Sequence, residues 1–351
     1  MATDNWTDGS DNWNTPGDWS SGLPGSSSNV VIDEGDPQVT ASFGTIASLT
    51  DAADLTFIDA GKSTVTGAVT NSGTIDLDPF TDDGGSSLSI GGALDNSGTL
   101  SIGPSNNTLS ANSTVDVASL ANFIGTTFGT IDLYGSSTAE ATLDDAAAAG
   151  LGAANTLIGS VNLSGDALLE FASGQITTID SNSELSLTGA NAFVADASKT
   201  GSESALTGLA TNNGGLYLVN GATVTTSAGL TNSGSIYLDL YTDDGGSSLT
   251  VGGGLTNDGT LAIGPSNDTL TSATTVSATS ITNFVSTTFG TIDVYGNDSA
   301  SLPAPITLRW TSPARRVSAS PARSKAASTW NMMARSCLRA ARSRPSPPAA
   351  S

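Results

Sequence analysis

Two short loops hold the densest set of oxygen ligands in this sequence. Asp76, Asp78, Asp82 and Asp83 lead into Gly84 and Gly85, and the related run of Asp239, Asp243 and Asp244 leads into Gly245 and Gly246. Carboxylates and glycine-exposed carbonyls within one loop suit calcium, which takes roughly six to eight oxygens. These aspartates are therefore the candidate calcium ligands, and no other cofactor is required. The spacing is not that of an EF-hand, and the second loop has Tyr237 where the first has Asp76. The plainer alternative is a solvated Asp-Gly turn chosen for its backbone geometry.

Catalysis finds few tools here. The chain has no histidine, and its single cysteine, Cys337, lies far from these loops in sequence, so Ser/His/Asp and Cys/His systems and His-rich zinc sites have no material. The adjacent acids Asp82-Asp83 and Asp243-Asp244 resemble one motif of polygalacturonases, yet the Gly-His-Gly and Arg-x-Lys elements of that family are missing. A lyase would want a basic proton acceptor, and before Pro303 only Lys62 and Lys199 are offered. The expectation is a non-catalytic chain, with a carbohydrate-active β-helix enzyme, a polysaccharide hydrolase or lyase, as the alternative. Trp6, Trp13 and Trp19 form a loose repeat that reads either as a glycan-stacking platform or as a cap over the end of a repeat core.

The elements that must position these residues are repeats. Residues 68–135 align without a gap on residues 229–296, a shift of 161, and are identical at 43 of 68 positions. Each copy repeats internally: Asn71-Ser72-Gly73-Thr74-Ile75 returns as Asn96-Ser97-Gly98-Thr99-Leu100, and Asn232 is followed by Asn257. The unit is thus about 20 to 25 residues, in the range of stacked solenoids. Ile75 and Leu77, Leu88 and Ile90, Leu100 and Ile102, and Ile131 and Leu133 alternate with Ser, Thr or Asp, the period of a strand. Gly, Asn, Asp and Pro between the runs supply turns. The expected fold is all-β, a parallel β-helix in which each coil pairs with the next at about 4.8 Å, with a β-sandwich array as the alternative. Asn71, Asn96, Asn232 and Asn257 then fall where side chains can hydrogen-bond from coil to coil.

Along the chain this gives a Trp-containing cap over residues 1–40, a β-solenoid over 41–302 and a basic, low-complexity tail over 303–351 that is expected to be disordered. Residues 136–210, between the copies, are the least regular part, and Ala146 to Ala149 admit either a short helix or a coil packed with small side chains. All 33 acidic residues precede Pro303, against two lysines, whereas the nine basic residues after it have no acid among them. Such an acidic body repels nucleic acid and anionic membranes and stays soluble as an extended surface. No apolar run reaches the roughly 20 residues of a membrane span, and Met1 to Trp6 has neither the basic start nor the apolar core of a signal peptide.

The pattern of Trp13, Trp19, Gly22, Pro24, Gly25 and Val30-Val31-Ile32 resembles the segment that precedes β-strand repeats in large bacterial exoproteins. Gly92 to Leu100, as Gly-Ala-Leu-x-Asn-Ser-Gly-Thr-Leu, is similar to repeats of autotransporter passengers and filamentous-haemagglutinin-like adhesins. The resemblance covers about residues 10–302 and is compositional. It implies a stalk or adhesive surface, secreted or displayed on a cell, whose partners are host or bacterial surface glycans or proteins. No catalytic residue carries over.

Residues 303–351 read as a frame change rather than a designed basic arm. Read one nucleotide earlier, Trp310-Thr311 must become Leu, Val or Met followed by Asp, and Trp330 and Met333 become Leu/Val/Met and Asp. Displaced by 167 residues, positions 310, 311, 330 and 333 fall on Leu143, Asp144, Leu163 and Asp166. A frame change between about Asn297 and Arg309 accounts for this. Sequencing the coding DNA through and beyond this segment should show strand repeats resuming in the frame one base back; a stop codon or aperiodic sequence there would leave the basic tail genuine.

Overall fold

The computed structural model describes residues 2–241, 244–265, 270–285, 288–295 and 300–301. Within them strands joined by turns make up nearly all of the regular structure, wound as a parallel β-helix. The alternation read from the sequence sets the geometry: in Thr74–Leu77, Ile75 and Leu77 are fully buried while Thr74 and Asp76 stay partly exposed. Parallel pairing then stacks like on like. Leu55, Ile75, Leu100, Ile131 and Val161 occupy one register column, which continues through Leu185, Leu216, Ile236 and Leu261. Every one of them is at 0% exposure. Each buried side chain of this size contributes roughly 1.5–3 kcal/mol, and one continuous apolar core runs from Trp6 to Ile281.

Three long sheets carry the coils. Among the described residues, a 12-stranded sheet runs from Ser10–Asn12 to Thr291–Val294, an 11-stranded sheet from Ala2–Asn5 to Ala192–Asp196, and an 8-stranded sheet from Thr156–Leu157 to Ala300–Ser301. The two copies fold alike. Ser87–Asn96 and Ser248–Asn257 are both ten-residue strands, and each shifts register at the same place, between Ile90 and Ala93 or between Val251 and Gly254. The alanine run does not form a helix. Ala141–Ala148 is a strand in register with Ala167–Ser173, because the alternate burial of Ala141, Leu143 and Asp145 fits a sheet and tertiary pairing outweighs alanine's helical preference. No helix among the described residues is long and apolar enough to cross a membrane. The segment 303–351, with the proposed frame change, lies outside the described residues.

At the corners the asparagines form ladders. Asn71 Nδ2 donates to Asn96 Oδ1 at 2.8 Å and to the Thr99 carbonyl at 2.8 Å. Asn96 in turn donates to Asn122 Oδ1 at 2.7 Å and to the Thr130 carbonyl at 3.1 Å. A second ladder repeats the pattern from Asn212 to Asn232 at 2.7 Å, Asn232 to Asn257 at 2.6 Å and Asn257 to Asn283 at 2.6 Å. The glycine two residues on is there for space: a Cβ on Gly98 would run into the Gly73 carbonyl, and one on Gly259 into that of Gly234. Asn96→Ala strands a donor on Asn71 and an acceptor on Asn122 in a buried corner, so stability in urea should fall by about 2–4 kcal/mol. A loss below about 1 kcal/mol would show that the ladder is incidental.

Candidate functional site

The Asp-Gly loops are built as self-satisfied turns. Asp78 adopts φ 53° and Asp239 φ 49°, a left-handed conformation that turns each carboxylate inward, where it is completely buried. Asp78 accepts hydrogen bonds from Ser86 N at 2.9 Å, from Ser86 Oγ at 2.7 Å and from Ser113 Oγ. Asp239 accepts from Ser247 N at 3.0 Å, Ser247 Oγ at 2.8 Å, Asn220 N at 2.9 Å and Thr274 Oγ1. These oxygens tie three neighbouring coils together and are not offered to an ion.

The remaining aspartates of these loops part company. Asp76 stands on the outer face of its sheet, pushed up to about 6 by burial and, against the Ser101 hydroxyl, by Asp54, Asp36 and Asp132. Asp82 is exposed, and Asp83 Oδ1 accepts from Asp59 N at 3.1 Å and Gly84 N at 3.2 Å. Asp244 Oδ2 accepts from Tyr241 N at 3.1 Å, and Asp243 lies outside the described residues. Among the described residues, three carboxylates bring ligand oxygens within 4.8 Å of one another only at Asp8, Asp11 and Asp18. Among the described residues, the loop carboxylates are not gathered around one point. The reason is local: the carboxylates of Asp78 and Asp239 turn into the coil, where serine and threonine donors meet them, while Asp82, also left-handed at φ 63°, stays exposed.

The tryptophans also differ from a glycan platform. Trp6, Trp13 and Trp19 are 1%, 1% and 4% exposed, so their faces are closed to a sugar. Trp6 meets Trp19 edge-on at 5.1 Å, Trp13 lies 4.5 Å from Trp19, and Phe43 stacks on Trp13 at 4.3 Å. Their polar edges are used internally, Trp19 Nε1 donating to the Trp13 carbonyl at 2.8 Å. This is an aromatic plug continuous with the core.

The exposed aromatic surface is elsewhere. Phe80 is 56% exposed and Tyr241 68% exposed, at equivalent positions of the two copies, each beside its Asp-Gly loop. Ile124 and Phe128 are also exposed, on the small antiparallel hairpin made by Phe123–Ile124 and Thr127–Phe128. The signal for Phe80 and Tyr241 was in the sequence: an aromatic between turn residues, out of the alternating pattern, present in both copies. Comparison with protein-family models, with curated proteins and with solved structures found no match to this chain.

A buried acid heads the first ladder. Asp51 pairs in register with Asn71, is fully buried, and neither of its side-chain oxygens has a hydrogen-bond partner. Burial raises its carboxyl to about 7, against the Ala53 N–H and with help from Asp54 and Asp36. Position 212, the equivalent in the second copy, is asparagine. A protonated Asp51 can give Asn71 the hydrogen bond that asparagine gives elsewhere; an ionised one sets a charge against an acceptor. Because the folded group holds its proton more tightly than the unfolded one, its contribution is full below about pH 4 and is lost as pH rises through about 7, roughly 4 kcal/mol in all. Asp145, raised to about 6 mainly by burial, acts in the same direction. Asp51→Asn should therefore raise stability by up to about 4 kcal/mol near pH 8 and change it little near pH 4. Parallel urea titrations at the two pH values would show it, and an equal effect at both would refute the protonated ladder head.

Proposed function

We propose that the chain is an extracellular, non-catalytic rod of a bacterial surface protein, secreted or cell-attached, that makes adhesive contact with glycans or proteins through aromatic loop tips. The observation that carries this reading is the pair Phe80 and Tyr241, large rings left in solvent at the same place in two copies of one segment. An exposed ring beside hydroxyl- and amide-rich turns offers a stacking face with polar groups at its rim, the composition of a sugar contact. The coils at Phe80 and Tyr241 are separated by six steps along the 12-stranded sheet, from Thr74–Leu77 to Ser235–Leu238. At about 4.8 Å per step the rings stand roughly 29 Å apart. That spacing suits an extended, repeating ligand held at two points, and two weak contacts on one rigid rod give avidity that neither gives alone.

The acidic outer face supports the same reading. Outward columns of aspartate, serine and threonine keep a long sheet surface hydrated and repel nucleic acid and anionic lipid, leaving neutral or mixed surfaces as partners. Replacing both rings, Phe80→Ala with Tyr241→Ala, should weaken retention on immobilised cell-wall or host glycans by more than about tenfold, with each single change costing much less. The melting temperature should not move, because neither ring is buried. Equal retention by the double variant would overturn the proposed contact, and release of reducing ends from the glycans by the intact protein would favour a carbohydrate-active enzyme instead.

A further inference from the structure

The coils that precede the two copies differ in one place that opens the rod. Shifted by 161 residues, Thr223–Thr226 corresponds to Lys62–Val65, and the 3-10 turn Ser204–Leu206 falls where the strand Gly44–Ile46 begins. Before the first copy, Lys62–Val65 is flanked by Gly44–Ile46 on one side and Ser87–Asn96 on the other. Before the second, Thr223–Thr226 pairs with Ser248–Asn257 alone. The turn closes the opposite edge with side chains: Val194 N donates to Glu203 Oε2 at 2.9 Å and Asp196 N to Ser204 Oγ at 2.8 Å. Between the parted strands lies a cleft of about 290 Å³ lined by Phe193, Lys199, Ser202, Glu203, Thr223 and Thr225.

The chemistry of this cleft is unusual for the molecule. Glu203 is 8% exposed, and Val194 N donates to one of its carboxyl oxygens. Burial pushes this carboxyl well above the usual range, with only the Val194 N–H opposing. With a proton on it and one oxygen accepting from Val194, the other presents an O–H donor. Lys199 is one of only two cations that precede Pro303. A cationic donor and a neutral donor beside an aromatic ring complement a carboxylate carried on a flat ring. A polyanion would be repelled by the acidic body, and the volume admits little more than one ring.

We propose that this cleft binds a small carboxylated ring compound, with the carboxylate held between Lys199 Nζ and the Glu203 carboxyl and the ring against Phe193. A sugar acid and an aromatic acid share that chemistry, so both serve as probes. Titration of the isotope-labelled protein with glucuronate, benzoate or glucose, followed by amide chemical shifts, should give saturable changes at Lys199 to Thr207 and Thr223 to Thr225 with at least one acid and none with glucose. The tighter acid names the ligand class. Lys199 is exposed, so Lys199→Met should fold normally and weaken binding by about tenfold or more, as expected for loss of a charge-assisted hydrogen bond. Glu203→Gln keeps both an acceptor for Val194 and a donor, and should bind within about threefold of the native chain. Equal shifts with glucose, no saturable response to either acid, or unchanged affinity in Lys199→Met would each overturn the proposal.

Discussion

In-register parallel stacking governs everything else in this molecule. Once the strand of one coil hydrogen-bonds to the next, each position lies on its counterpart above and below, and a residue is stable only if it tolerates a copy of its own kind as a neighbour. Leucine, isoleucine and valine meet that condition through packing, which is why the column from Leu55 to Leu261 holds nothing else. Among buried polar side chains asparagine meets it best, because its amide both donates and accepts. The ladders at Asn71, Asn96 and Asn122 and at Asn212, Asn232 and Asn257 follow from that pairing property. Aspartate fails the condition unless protonated or supplied with donors from outside its column. The structure supplies the second remedy at Asp78 and Asp239, while Asp51, left without donors, holds its proton more tightly than an exposed aspartate.

The outer faces obey the same rule with a different result. Asp116, Asp144 and Glu170 stand in successive coils at matched positions. Like charges directly opposed destabilise a sheet, and Asp116 and Glu170 are raised by burial first and by Asp144 next. Solubility and stability therefore pull against each other along the rod. Carboxylates in successive coils keep the sheet face hydrated, while their mutual repulsion makes the folded state hold protons that the unfolded chain would release.

Much of this was legible in the residues. Alternation of Ile75 with Leu77 or Leu100 with Ile102 gave the strands, the 161-residue shift gave the repeat, and the recurrent Asn-x-Gly gave the corner ladder. What stayed hidden depended on backbone dihedrals at single residues. Asp78 looks like a loop ligand in the sequence, but a φ of 53° swings it into the coil. Likewise, nothing in the spacing of Trp6, Trp13 and Trp19 distinguishes a ring laid on the surface from one turned under it; the contact of Trp13 with Phe43 decides that, and it spans 30 residues. Glu203 carried no motif, because its role depends on a strand that its own segment fails to form.

Duplication explains where the irregularities fall. Copying a block of coils copies the columns inside it, but the coil that precedes each block was not copied with it. Asn212 pairs in register with Ile179, which has no donor to give, and Asn212 Oδ1 is left without a partner; Asp51, at the equivalent position, is left with two such oxygens. A few residues earlier, Ser204–Leu206 turns where Gly44–Ile46 extends, and the sheet parts. Inside a block, a side chain that breaks its column is opposed by every coil it touches, so the sequence there is held close to one answer. At a junction that opposition is already lost. An acid can be buried without a partner, an edge can be closed by side chains, and a cleft can open, all without disturbing the stack on either side. In a rod of this kind, specificity therefore has room to arise in two places: on loop tips that never enter a column, and at the junctions between copied blocks.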